Sequence, residues 1–354
     1  MRALHSRVGG VGNSTLDAKP QANQERHTDC TLRKLVQMHR LHQDHRSRTG
    51  SLKEMERVVI VARSEIDVLT PRTLDEALHI LQGTENGLKI VAGASDVIVQ
   101  LRGGVIKPNR LLNILPLKEL RFIRLTSGKV HIGALSTYSD IVHNEITRRH
   151  GRILIDAAGQ IGAVQLQNTA TIGGNLGNAS PAGDSLPPLY ALDAVVVTRS
   201  EAGRREIPID EFFVGYRKTA LQQNELIEEV YFDALSSNDR GAYVKLGLRE
   251  ANAISIVDVA VVLRERGPES SYKKICVALG AVAPTVRRAR RLEQELANKP
   301  LTTEAIEKAS YLAAHDAAPI DDIRGSAEYR KDALVSLVFE ALNTAALGTE
   351  KSDE

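Results

Sequence analysis

Apolar residues recur along this chain at two spacings, and glycines and short polar residues mark where one spacing gives way to the other. Leu74, Leu78 and Leu81 fall at helical intervals behind Thr73, with Glu76 three residues on as in a capping box. A helix is therefore expected over 73–81, stopped by Gly83 or Gly87. Ordered structure is expected from the apolar run at 58–61. Residues 89–92 and 111–114 read as short buried strands, and 120–125 with 129–133, joined through Ser127-Gly128, as a hairpin. One helix is expected from Thr137 to near Gly151, another over 153–162, and a short one at 187–192 before a strand at 194–198. Residues 252–263 and 273–282 read as strands, and 286–297, 303–315 and 327–346 as helices. The mixture is that of an α+β protein.

Two stretches do not suit ordinary core. In Thr171-Ile172-Gly173-Gly174-Asn175-Leu176-Gly177-Asn178, continued by Ala179-Ser180-Pro181-Ala182-Gly183-Asp184, glycine alternates with short polar residues. Such a stretch lets a ligand approach the main chain, and free N–H groups in a turn make a cradle for anions, usually phosphate. A plain connector between strands is the other reading. The strand at 89–92 runs straight into Gly93-Ala94-Ser95-Asp96-Val97, a second candidate cradle whose alternative is a simple strand–turn. Two cradles bracketing one continuous α+β region suit a pyrophosphate with large groups on both sides better than a single phosphate.

Composition narrows the function class. The 354 residues are 42% hydrophobic and 25% charged, enough for two or three domains of an ordinary protein. No apolar run reaches membrane-spanning length and no secretory leader is evident, so a cytoplasmic location is expected. Cys30 and Cys276 are too few for a disulfide framework or for an iron–sulfur cluster held by this chain's own thiolates. Residues 1–56 are polar and contain five of the ten histidines, and residues 1–50 hold nine basic against four acidic residues. They read as a flexible basic His-rich extension, or as residues preceding a natural start at Met55. Cys30 with His39, His42 and His45 offers metal ligands at a spacing that matches no structural zinc pattern. The remaining 304 residues carry 37 basic against 40 acidic side chains, and aromatics are only 4%, so no nucleic-acid interface is expected. Arg287-Arg288-Ala289-Arg290-Arg291, followed by Glu293 and Glu295, reads as a solvated helix face, with an acidic partner as the alternative.

Together the two cradles resemble the FAD-binding medium subunit of the molybdenum hydroxylases, the family of xanthine dehydrogenase and the aerobic carbon monoxide dehydrogenase flavoproteins. The resemblance takes in Val91-Ala92-Gly93-Ala94-Ser95-Asp96, Thr171 to Asn175, Ala179 to Asp184, Gly241 to Arg249, Val277 to Thr285 and Asp321 to Arg330. It implies a two-subdomain FAD-binding fold of the vanillyl-alcohol-oxidase-like (PCMH) type over 57–235, subdomains about 57–115 and 116–235. A C-terminal α+β domain of antiparallel sheet and helices follows over 236–346, then a tail at 347–354. It implies that Lys89, Ile90, Val91, Gly93, Ala94, Ser95, Asp96 and Val97 wrap the FAD pyrophosphate. Ala170, Thr171, Gly174, Asn175, Asn178, Gly183 and Asp184 form the second loop, with Ile161 and Leu166 upstream and Leu226 walling the flavin. Asp184 is expected to accept hydrogen bonds from the cofactor, and Lys245 and Arg249 to contact it or to form a salt bridge. Where the family often carries a second glycine stands Ala94, which the loop tolerates if its φ stays below zero. A basic residue is common where Gln167 stands. No histidine lies in either loop, so FAD is expected to be non-covalent.

The resemblance further implies an electron-transfer subunit without an acid–base triad of its own. Partner subunits would carry the molybdenum cofactor and two [2Fe–2S] clusters, and the final acceptor would be NAD, a quinone or oxygen. A self-contained flavin oxidoreductase of the same fold, and a scaffold subunit lacking flavin, are the alternatives.

Overall fold

The computed structural model describes residues 66–83 and 87–347. The extension at 1–56, its Cys30 and histidine ligands, the onset at 58–61 and residues 348–354 lie outside them.

The first layer is a three-stranded parallel sheet, β1 (Asp67–Leu69), β3 (Arg110–Asn113) and β2 (Leu88–Val91), in the order β1-β3-β2. Parallel neighbours need crossovers, and these are α1 (Leu74–Gln82) and α2 (Ser95–Arg102). Thr73 caps α1 as expected, its hydroxyl accepting from Glu76 N at 3.2 Å. The capping box is incomplete, because Glu76 Oε2 accepts from Arg72 N instead. Ala77, Leu78 and Leu81 turn inward onto Leu112, Leu117 and Leu120.

The second layer is a five-stranded antiparallel sheet, with β4 (Ile123–Thr126), β5 (Lys129–Gly133), β10 (Leu226–Asp233), β6 (Val195–Ser200) and β7 (Gly203–Pro208) in that order. Between β5 and β6 run α3 (Tyr138–His143), α4 (Glu145–His150), α5 (Arg152–Ala158), α6 (Val164–Gln167), α7 (Ile172–Asn178) and α8 (Leu186–Ala191). The single helix expected up to Gly151 is thus two. Asn144 is extended at φ −88°, ψ 133°, and its side chain accepts from Ile146 N, so the same residue ends α3 and caps α4. After β7 come α9 (Ile209–Phe212) and a small hairpin of β8 (Phe213–Gly215) and β9 (Lys218–Thr219).

The third layer is a four-stranded antiparallel sheet of β11 (Arg240–Gly247), β12 (Ser255–Arg266), β13 (Tyr272–Gly280) and β14 (Arg287–Arg288). Against it pack α10 (Arg290–Leu296), α11 (Thr303–Ser310) and α12 (Ala327–Leu347), the last through Leu334, Val338, Ala341 and Leu342. The other face of this sheet, through Tyr243, Ala260, Val262, Cys276 and Ala278, joins the core of the second layer. Among the described residues no helix is long and apolar enough to cross a membrane.

The arginine run is not a uniformly solvated helix face. Arg287 and Arg288 form strand β14, and the Arg288 side chain is only 6% exposed, bridging Asp193 Oδ1 at 2.5 Å and Glu293 Oε1 at 2.6 Å. Burial of a guanidinium paired with two carboxylates here ties β14 to α10 and to the turn before β6.

Candidate functional site

A cavity of about 590 Å³ opens where the C-terminal end of β2 meets the start of β10 and helix α7. That lies within the roughly 300–1,000 Å³ typical of small-molecule sites. Of the residues expected from sequence, Lys89, Ile90, Gly93, Ala94, Ser95, Asp96, Val97, Ile161, Leu166, Ala170, Thr171, Gly174, Asn175, Asn178 and Leu226 line it. Tyr138, Gln100, Ile227 and the segment 221–223, which sequence reasoning did not single out, line it too.

The first cradle has the geometry of an anion nest. Ala94 sits at φ 64°, ψ 0°, immediately before α2, and no side chain caps that helix. The N–H groups of Gly93, Ala94, Ser95 and Asp96 have no hydrogen-bond partner among the described residues. A left-handed residue leading into a helix turns successive N–H groups to one side, and the helix dipole adds partial positive charge there. The φ at Ala94 is positive, so the condition under which alanine would be tolerated here without strain is not met. The turn needs that conformation whichever residue occupies it, and an L-residue there costs about 1–2 kcal/mol. Ala94→Gly is accordingly expected to raise unfolding free energy by about 1 kcal/mol without weakening ligand binding, as read by thermal melts of the two proteins.

The second stretch is not a turn but helix α7, despite three glycines in seven residues. Thr171 caps it, accepting from Gly174 N at 3.1 Å. Ile172 N and Gly173 N donate to Ser136 O and Ala134 O, and Asn175 N donates to Thr171 O. The N–H groups of its first turn are therefore already used, so the expected row of free donors is absent from this half of the site. What α7 offers instead is a face. Ile172, Gly173 and Leu176 are buried, while Gly174, Asn175, Gly177 and Asn178 turn to the cavity.

The two halves are held in contact. A Cβ at Gly93 would lie 1.6 Å from Thr169 O, so the first loop touches the approach to α7 backbone to backbone. Asn178 clasps them again, donating from Nδ2 to Asp96 Oδ1 at 2.8 Å and accepting at Oδ1 from Gln100 Nε2 and Arg217 Nη1. Burial pushes the Asp96 carboxyl up, and Arg217 and Asn178 pull it back. Gln167 donates to Gly159 O and Ile161 O and so shapes the loop beside the cavity.

Two family models match the chain: an FAD binding domain in molybdopterin dehydrogenase over residues 64–232, and a CO dehydrogenase flavoprotein C-terminal domain over 242–345. The nicotinate dehydrogenase FAD-subunit of Eubacterium barkeri is 33% identical over 289 residues, 78% of this chain and 95% of that one. The carbon monoxide dehydrogenase medium chain of Hydrogenophaga pseudoflava is 32% identical over 78% of this chain and 95% of its own. A solved carbon monoxide dehydrogenase from that organism, lacking the Mo-pyranopterin moiety of its cofactor, superposes with a TM-score of 0.76 at 31% identity. It covers 79% of this chain and 96% of that one. The chain belongs to the FAD-binding medium subunits of the molybdenum hydroxylases.

FAD is the cofactor of this family, and the cavity fits it on three independent points. A nest of unpartnered N–H groups suits a pyrophosphate. Gly174 and Gly177 leave backbone uncovered beside Asn175 and Asn178 on the α7 wall, so a flat ring or ribose can lie against it. Ile161, Leu166, Leu226 and Ile227 supply an apolar lining.

Three expected contacts lie elsewhere. Val91 is only 1% exposed and belongs to the core. Gly183 closes the turn onto α8, its N–H donating to Ser180 O, and does not reach the cavity. Asp184 is not a cavity-lining residue: Oδ2 accepts from Lys245 Nζ at 2.6 Å and Oδ1 from Ser255 Oγ at 2.6 Å. Lys245 also donates to Gln160 O at 3.1 Å, so it forms the salt bridge and ties the loop before α6 to β11. Arg249 donates to Asn252 O within its own turn. The signal for the Asp184 pair lies in residues 61 apart, which no local pattern joins.

Behind this pair lies Asp258, fully buried, with Oδ2 accepting from Tyr243 at 3.0 Å and Oδ1 without a hydrogen-bond partner among the described residues. Burial, then the charge of Asp184, pushes Asp258 well above the usual carboxylate range. Burial pushes Asp184 up as well, with Lys245 pulling it back. Because the folded pKa of Asp258 is raised, its contribution to stability is complete below the ordinary carboxylate pKa and is lost as pH rises through the folded value. Asp258→Asn removes that titration. Urea unfolding from about pH 4 to pH 8 is expected to show a flatter fall in stability for the variant, up to about 1.4 kcal/mol per pH unit for one proton.

Proposed function

We propose that this chain binds FAD non-covalently in the cavity between the β2–α2 nest and α7, and there serves as the electron outlet of a three-subunit dehydrogenase. The observation that carries the reading is the nest at Gly93–Asp96 facing α7, where Gly174 and Gly177 expose backbone, across a cavity of about 590 Å³. Ala94, Ser95 and Asp96 donate their N–H groups to the pyrophosphate, Asn175 donates from its amide, and Ile161, Leu166 and Leu226 exclude water from the ring. When bound, flavin supplies an exchange between one-electron and two-electron steps, and the protein's share is orientation and electrostatics. An iron–sulfur subunit delivering electrons singly and a molybdenum subunit oxidising the substrate are the partners this reading needs. The relatives named above as "medium chain" and "FAD-subunit" support it. NAD, a quinone or oxygen is the acceptor, in a cytoplasmic complex.

The test is co-purification with the proteins encoded alongside it, followed by an absorption spectrum of the complex. Flavin bands with an iron–sulfur partner at equal stoichiometry are expected. A flavin-containing chain that stays alone and turns over a small substrate contradicts the complex, and a chain that takes up no flavin contradicts the whole reading.

A further inference from the structure

Asn175 meets the cavity on one side, and on the other a buried polar chain that the family reading does not use. Tyr138, 1% exposed, and Ser185, fully buried, lie with their hydroxyl oxygens 2.9 Å apart, and Ser185 Oγ lies 3.1 Å from Asn175 Oδ1. The direction of donation follows from counting protons. The Tyr138 hydroxyl has one proton to donate, and its one hydrogen-bond partner among the described residues is Ser185. If Ser185 donated to Tyr138, the phenolic proton would be left buried without an acceptor, and an unsatisfied buried donor is costly. Burial also pushes the Tyr138 pKa up, which keeps that proton on the oxygen. Tyr138 therefore donates to Ser185, the Ser185 proton is free to go only to Asn175, and Asn175 must present its carbonyl oxygen to it.

We infer that Tyr138 and Ser185 are positioning residues that lock the Asn175 amide with its NH2 group toward the cavity, so that this point of the site demands a hydrogen-bond acceptor on the cofactor. The inference rests on the FAD reading above and deepens it. Without the relay the amide can turn over and present oxygen to oxygen. With it, the orientation is set before the ligand arrives, and less freedom is lost on binding. An oxygen on the bound FAD, on phosphate, ribitol or ring, takes this donor.

The experiment is titration of flavin-free protein with FAD, followed by flavin fluorescence, in single and double variants, with the melting temperature of each flavin-free protein as a control for folding. Ser185→Ala is expected to weaken FAD about five- to tenfold, the worth of one net hydrogen bond. Ser185→Thr, which keeps the hydroxyl, is expected to stay within about twofold of wild type. Tyr138→Phe is expected to weaken FAD less than Ser185→Ala. Ser185→Ala added to Asn175→Ala should cost nothing further, because both act through one amide. A readout that a purely structural role does not move is pH. Asn175→Asp is expected to bind poorly at pH 8 and to regain affinity as pH falls and its acid gains a donor proton, while wild type changes little. Additive losses in the double variant, an unchanged affinity in Ser185→Ala, or a flat pH profile in Asn175→Asp overturn the relay while wild type still binds FAD. Wild type that binds no FAD overturns the underlying reading as well.

Discussion

Gly93→Ala is expected to cost this chain both its flavin and a large part of its stability. The added Cβ lands 1.6 Å from Thr169 O, an atom of the main chain, so relief requires the first loop and the segment entering α7 to separate. That movement also opens the clasp of Asn178 on Asp96 and Gln100. A clash with backbone that no rotamer can relieve is among the few single changes that cost about 3 kcal/mol or more. FAD affinity is expected to fall by at least about a hundredfold, since both halves of the site move together. A thermal melt and the flavin absorbance of the purified variant measure the two effects separately. A variant that melts and binds as wild type does would show that the two loops are not in contact.

Gly174→Val is expected to remove the flavin and spare the fold. Here the added Cβ meets only Thr171 Oγ1 at 3.0 Å, and the residue otherwise faces the cavity. The cap of α7 weakens by about 1 kcal/mol at most. The branched side chain, however, occupies the space in which a ring or ribose lies against the α7 backbone. Flavin content near zero with a melting temperature within a few degrees of the flavin-free wild type is the expected result. Full flavin content would place the cofactor elsewhere. The contrast between two glycines is itself informative: Gly93 is required by the protein's own backbone, Gly174 by its ligand.

Where side chains act on near neighbours, the sequence spoke plainly. Thr73 and the leucine spacing located α1, the hairpin at Ser127-Gly128 formed as expected, and the two cradles came together on one cavity. What stayed hidden depends on partners far along the chain. Helix α7 reads as a turn because three glycines in seven residues disfavour helix. Packing decides otherwise, since a Cβ at Gly173 would lie 2.6 Å from Ala134 Cβ, and only glycine lets α7 sit that close to the end of β5. Strand β10, central in its sheet, was not recognised because Glu228 and Glu229 interrupt its apolar run. Arg204 pairs with Glu228 and Arg124 with Glu229, each reaching across one intervening strand from β7 and β4, and His131 on the adjacent β5 meets Glu229 as well. Asp184 reads as a ligand contact until Lys245 and Ser255 arrive from β11 and β12 to take both its oxygens. The left-handed turn at Ala94 carries no local marker, since alanine is not a residue that announces positive φ.

The most direct measurement is a crystal structure of the chain with FAD bound. The pyrophosphate is expected within hydrogen-bonding distance of the N–H groups of Ala94, Ser95 and Asp96, with the rest of the cofactor extending along Gly174, Asn175 and Gly177 of α7. A pyrophosphate held at the N-terminus of α7, or anywhere outside the β2–α2 turn, would contradict the division of labour between the two halves of the site.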